Sequence, residues 1–315
     1  MGDAGEDFQR LRRFVSVLRG AWPSRAGDAN AAAASTLQLA ERAADALTRP
    51  PAPAHVAVVG PTQVGKSSVV NHMLGVEAAD VSPLAGHTTQ AHGFQAGGAA
   101  LTDWLASAFP DFAVKPSGEL SREERRVIGF QRVRADFEAD VVVWDTPDFD
   151  SAESAAYRAV TIDLIGLCDA VVLVVSREKY ADLTVWTLLE QIAPLARELY
   201  ICLNKVTPDA EAAIRASLMS RLQERLGAFD DSRVVTIPQS ASIEAQREST
   251  GTRMLRVVAR NLSASDLQSR ARRDIAAMSR TNWDVWTGPI VAEHAARETW
   301  HADVERALDV GFEHY

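Results

Sequence analysis

The chain has 315 residues, of which 47% are apolar and 24% charged, and carries a formal net charge of −9. That length accommodates one α/β domain of about 200 residues and an accessory element, and the acidic balance opposes broad attraction to nucleic acid or to an anionic membrane surface. No run approaches the roughly 20 apolar residues of a membrane span, and the start MGDAGEDFQRL is acidic where a secretory leader is basic.

Residues 7–22 place Phe8, Leu11, Phe14, Val15, Leu18 and Trp22 on one helical face, and an Ala-rich helix is expected over 30–47. RPPAPA at 49–54 ends it, because prolines lack a donor and disfavour helix. From His55 onward strands and helices alternate. Strands are predicted at His55–Val59, Asp140–Trp144, Ala170–Ser176, Leu199–Leu203 and Val234–Ile237. Helices are predicted at 66–75, 153–166, 182–197, 209–226 and 252–262. This alternation implies a mainly parallel sheet covered on both faces.

Segment 91–138 reads as an insertion with strands at His92–Gln95 and Val127–Phe137, and Ser121 and Glu124 have capping-box spacing. Beyond 263 two helices, 264–280 and 288–312, are expected around a Trp-containing bend, TNWDVWTGP. The organisation is therefore N-terminal helices 1–48, a linker 49–54, an α/β domain 55–262 and C-terminal helices 263–315 that pack with the N-terminal ones. Leu267, Ile275, Ile290, Leu308 and Phe312 would face that partner, as would Trp283, Trp286 and Trp300.

Chemistry concentrates in four places. In HVAVVGPTQVGKSS, Gly60 and Gly65 let backbone amides curl around phosphate oxygens, with Gln63, Val64 and Ser68 in the same loop. Lys66 would reach the β- and γ-phosphates, Ser67 would ligate Mg²⁺, and the following helix aims its N-terminus at the phosphates. VVVWDTPDFD ends a strand in Asp145, about 80 residues later, where a carboxylate can help hold Mg²⁺. LYICLNKVT closes a strand with Asn204 and Lys205, and TIPQSAS closes the last with Ser240 and Ala241. Two of the chain's four lysines thus fall in motifs.

In the order GPTQVGKSS, HTTQ, DTPD, NKVT and SAS, the segment 55–262 resembles the translation-factor class of P-loop GTPases, in particular its Era-like and dynamin-like branches. DTPDFDS, and KYAD with Trp186, also resemble a little-characterised bacterial G-domain group. The resemblance implies a Ras-like G domain with flanking helices, binding of GTP and GDP with Mg²⁺, and nucleotide-dependent movement of 80–95 and 146–152. It implies that Thr89, with Thr88 as alternate, closes on Mg²⁺ and the γ-phosphate. Asn204 and Lys205 would hold the guanine, and the Ser240–Ala241 pair would supply an amide to the base oxygen.

Three departures qualify that expectation. Asp148 stands where the family has glycine, placing a carboxylate beside a phosphate, either a burden or an unusual catalytic group. Phe149 stands where a water-orienting glutamine often lies, so hydrolysis is expected to be slow. Thr207 replaces the base-reading aspartate, and guanine preference should fall about 10–100-fold unless Asp209 substitutes.

The leading expectation is a slow GTPase switch with a protein partner and no nucleic-acid partner. The rivals are a nucleotide-binding scaffold without useful hydrolysis, a dynamin-like membrane-associated GTPase, which the lack of a basic or strongly apolar helix disfavours, and an ATP-binding P-loop protein. Cys168 and Cys202 read as reduced core residues of a cytoplasmic protein. His87 and His92 read as exposed residues beside Thr88 and Thr89, His294 and His301 as surface positions, and Arg270, Arg272 and Arg273 as a solvated helix face.

Overall fold

A computed structural model describes residues 4–22, 31–48, 53–81, 90–121, 124, 126–137, 140–149, 154–195, 198–240, 242–262 and 264–313. The strands are β1 (Ala54–Val59), β2 (His92–Ala96), β3 (Ala113–Pro116), β4 (Val127–Val133), β5 (Val141–Asp145), β6 (Ala170–Val175), β7 (Glu198–Val206) and β8 (Val234–Pro238). They form one sheet of eight in the order β3-β4-β2-β5-β1-β6-β7-β8. Every neighbouring pair is parallel except β2 with β5. The fold is the Ras-like α/β arrangement, mainly parallel with helices on both faces, and terminal helices are present.

Period-two alternation divides each central strand between two cores. From β1, Ala57 and Val59 enter one core while Val56 and Val58 enter the other. The second core is closed by α3 (Lys66–Leu74) and α9 (Thr250–Asn261). The first is closed by α2 (Ala31–Ala46), α4 (Thr102–Ala108), α5 (Ser154–Leu167), α6 (Leu183–Ile192), α7 (Pro208–Leu226) and α10 (Ala264–Thr281). The remaining helices are α1 (Ala4–Ala21), the single turn and a half of α8 (Ile243–Arg247), and α11 (Trp283–Glu313).

Segment 91–138 is less separate than the sequence suggested. It supplies β2, α4, β3 and β4, and these strands extend the same sheet. Glu124 reaches the Ser121 amide at 3.2 Å but also pairs with Lys115 on β3, so its capping-box spacing serves an edge strand.

The N-terminal helices meet both the α/β domain and the C-terminal helices through specific contacts. Arg42 on α2 makes two hydrogen bonds to Asp163 on α5, at 2.9 and 3.1 Å, and Gln38 adds a third at 2.8 Å. Trp286 is buried and donates its indole N–H to Thr36 Oγ1 at 3.0 Å. Phe14 stacks on Trp283 with centroids 5.0 Å apart, and the Arg272 guanidinium lies 5.4 Å above the Phe8 ring.

Two expectations about the C-terminus fail. The bend at TNWDVWTGP is confined to Asn282: the Trp286 amide donates to Asn282 O at 2.8 Å, so α11 is already helical before Pro289. That proline deprives Val285 of its amide partner, but Val285 is exposed and its carbonyl can meet water. Second, Trp300 and Leu308 are 61% and 55% exposed, so α11 meets the other helices through its first turns and not along its length. The side chains of Leu267, Arg270 and Phe312 lie outside the described residues. Among the described residues, no helix is long and apolar enough to cross a membrane.

Candidate functional site

The site lies at the carboxyl ends of β1, β5, β6 and β7. Between β1 and α3 the chain turns back on itself through 60–65, and the glycines there are sterically required. A Cβ on Gly60 would stand 2.4 Å from the Val174 carbonyl oxygen of β6. Gly65 has φ +90°, and a Cβ there would meet Asn204 Nδ2 at 2.6 Å. Gln63 also adopts positive φ (64°), which completes the curl, while Val64 is fully buried beneath it. Gly65 caps α3 without a side chain, so the first-turn amides of Lys66, Ser67 and Ser68 remain available to an anion.

Lys66 is 6% exposed. Its ammonium donates to the Pro61 carbonyl at 3.2 Å and is paired with the Asp148 carboxylate. Beside it, Ser67 Oγ donates to Asp145 Oδ2 at 2.6 Å. The other Asp145 oxygen, Oδ1, is buried and has no hydrogen-bond partner. Burial pushes the Asp145 carboxyl up to about 6; the Ser67 hydrogen bond and the Lys66 charge pull it down, and the Asp148 charge adds to the rise. The strand end carrying it is pinned by Thr146 Oγ1, which donates to Val58 O at 2.9 Å. A hydroxyl and a carboxylate with an unsatisfied buried oxygen form a hard-oxygen donor set, and these residues fit Mg²⁺.

β7 holds the loop from the far side. Asn204 Nδ2 donates to Val64 O and Lys205 Nζ to Gln63 O, each at 2.8 Å. Lys205 has φ +58°, and the pairing with β8 shifts register between Asn204 and Val206. This bulge turns Lys205 out while Asn204 stays buried. Thr207 caps α7 through its carbonyl, which accepts the Ala210 and Glu211 amides at 3.0 and 3.1 Å, and its side chain takes no backbone amide. It is instead hydrogen-bonded to Asp209, whose carboxyl lies below its ordinary value because of that bond, with Arg177 nearby. Ser240 follows β8, and its Oγ accepts the Ser242 amide at 3.2 Å.

Gly60, Gln63, Val64, Gly65, Lys66, Ser67, Ser68, Asp145, Asp148, Asn204 and Lys205 therefore converge on one sheet edge, with Ser240 at the end of the adjoining strand. Thr88, Thr89, His87 and Ala241 lie outside the described residues. His92 is not an exposed residue. It is half-buried on β2 directly across from Asp145, and burial holds its imidazole below the ordinary value. No pattern in the sequence pointed to the Lys66–Asp148 pair, whose members lie 82 residues apart in two motifs. Phe149 is 4% exposed and part of the core.

A curled glycine loop between a parallel strand and a helix, with a lysine, a hydroxyl and a strand-end carboxylate around it, has the arrangement of a P-loop phosphate site. Residues 55–205 match the family described as 50S ribosome-binding GTPase. Among solved structures, Era from Aquifex aeolicus bound to GDP·AlF₄⁻ is 15% identical, with 66% of this chain and 56% of that one covered and a TM-score of 0.43. A member of an oligomerised bacterial dynamin pair is 13% identical over 83% of this chain and 42% of that one, with a TM-score of 0.48. Toc33 from Arabidopsis thaliana with Mg²⁺ and GMPPNP is 14% identical over 76% and 94%, with a TM-score of 0.41. The chain thus spans little more than half of the Era structure and less than half of the dynamin one. No curated protein matches.

Proposed function

We propose that this chain is a Mg²⁺-dependent GTP-binding protein that hydrolyses GTP slowly and works as a nucleotide-dependent switch in the cytoplasm. The observation that carries this reading is the uncapped start of α3, with Lys66 and the Ser67–Asp145 pair gathered around it. Those amides and the ammonium suit phosphate oxygens, and Ser67 Oγ with Asp145 would hold the metal. Bound Mg²⁺ would neutralise charge on the β- and γ-phosphates. Asn204 and Lys205, anchored to the loop's own carbonyls, fix the base end of the site to its phosphate end. Thr89 and the amide of Ala241 complete the proposed contacts to metal and base.

Hydrolysis is slow in this reading because Phe149 sits in the core and offers water no hydrogen bond. The same feature favours a second reading, a nucleotide-responsive scaffold without useful turnover. The ribosome in the matching family's description is not extended to this chain, whose charge of −9 opposes broad contact with RNA. The cytoplasmic reading rests on Cys168 and Cys202, each buried among apolar side chains as a core thiol. Fluorescent-nucleotide titration tests the phosphate site: Lys66→Ala should weaken triphosphate binding by several kcal/mol without unfolding the protein. Unchanged affinity would remove the basis of the proposal.

A further inference from the structure

The phosphate-site lysine is already engaged by an anion that belongs to the protein. The side chains of Lys66 and Asp148 are 5% and 10% exposed, and an ammonium so enclosed requires a counterion. Asp148 supplies it from the short link after β5. Its neighbour Phe149 is seated in the core, so the carboxylate is held from behind and does not ride on a free loop. The Pro61 carbonyl takes a second donor of the same ammonium. A P-loop lysine spans the β- and γ-phosphates. A diphosphate can therefore bind Lys66 while Asp148 keeps its place, whereas a triphosphate brings a γ-phosphate to the place that Asp148 holds.

Resting on the reading of this loop as a nucleotide site, we infer that Asp148 sets the choice between diphosphate and triphosphate, standing in for the terminal phosphate on Lys66 until a triphosphate expels it.

The test is titration of the full-length protein with GDP and with GMPPNP at saturating Mg²⁺. Wild type should bind GDP more tightly. Asp148→Asn, which keeps the shape and removes the charge, should shift the GDP:GMPPNP affinity ratio toward the triphosphate by about 10–100-fold. Most of that shift should appear as tighter GMPPNP binding. Asp148→Glu, which keeps the charge, should retain a preference for GDP. Asp148→Gly provides the same comparison should the asparagine variant not fold. A ratio within about threefold of wild type in a folded neutral variant that still binds GDP would overturn the assignment while leaving the nucleotide site intact. Binding of neither nucleotide by wild type would instead overturn the proposed function itself, and this inference with it.

Discussion

His55 sits at the start of the strand that feeds the phosphate loop and should make the fold sensitive to acid. It is 2% exposed, its Nδ1 accepts the Trp144 indole N–H at 3.0 Å, and its ring stacks on Trp104 with centroids 4.5 Å apart. Its Nε2 is buried without a partner. Burial alone lowers the imidazole from an ordinary 6.5 to about 3. Between those values the unfolded chain binds a proton that the folded chain refuses, so stability is present above pH 6.5 and is lost as pH falls toward 3. Integrated over that difference, acidification from about pH 7.5 to about pH 5 costs about 2 kcal/mol through this residue. Urea unfolding of wild type and His55→Phe at both pH values isolates the contribution, since loss of the Trp144 acceptor shifts the variant equally at each. Wild type should lose about 2 kcal/mol more than the variant. Equal losses would show that the ring is hydrated or paired in the folded state, contrary to the structure.

Asp145 predicts a pH effect on function. With its carboxyl pushed up to about 6 by burial, Mg²⁺-dependent nucleotide affinity should fall as pH drops through about 6, and isothermal titration at pH 5 and 7.5 measures it; a flat profile would count against Asp145 as a metal holder. Trp286→Ala removes a fully buried indole and its bond to Thr36. It should cost about 3–5 kcal/mol in packing and leave α10 and α11 open to limited proteolysis while nucleotide binding persists, whereas unchanged protection would mean that other contacts hold the terminal helices.

What the sequence disclosed depended on how far apart the relevant residues lie. β1, β5 and β6 were legible because a strand buried on both faces is a continuous apolar run, and all six positions of β1 and of β6 are buried. The loop motif was legible because its glycines, lysine and serine are contiguous. β3 was not, since its four residues are exposed or half-buried and end in Pro116, which gives neither an apolar run nor an alternation. Gly288 and Pro289 suggested a break that the Trp286–Asn282 hydrogen bond overrides. At the site, the residue types at Asp148 and Phe149 were readable as departures from the family. That Asp148 would pair with Lys66, and that Phe149 would be in the core, depended on how β5 lies beside β1.

Whether the loop from Gly60 to Ser68 holds a guanine nucleotide with Mg²⁺ is decided by equilibrium titration of purified protein with GTP, GDP, ATP and XTP, with Mg²⁺ and with EDTA. Binding should depend on Mg²⁺ and favour guanine over adenine, with the preference increased by Thr207→Asp, because a carboxylate accepts from the guanine edge more strongly than a hydroxyl. ATP competing as well as GTP in both proteins, or no nucleotide binding at all, would contradict that reading.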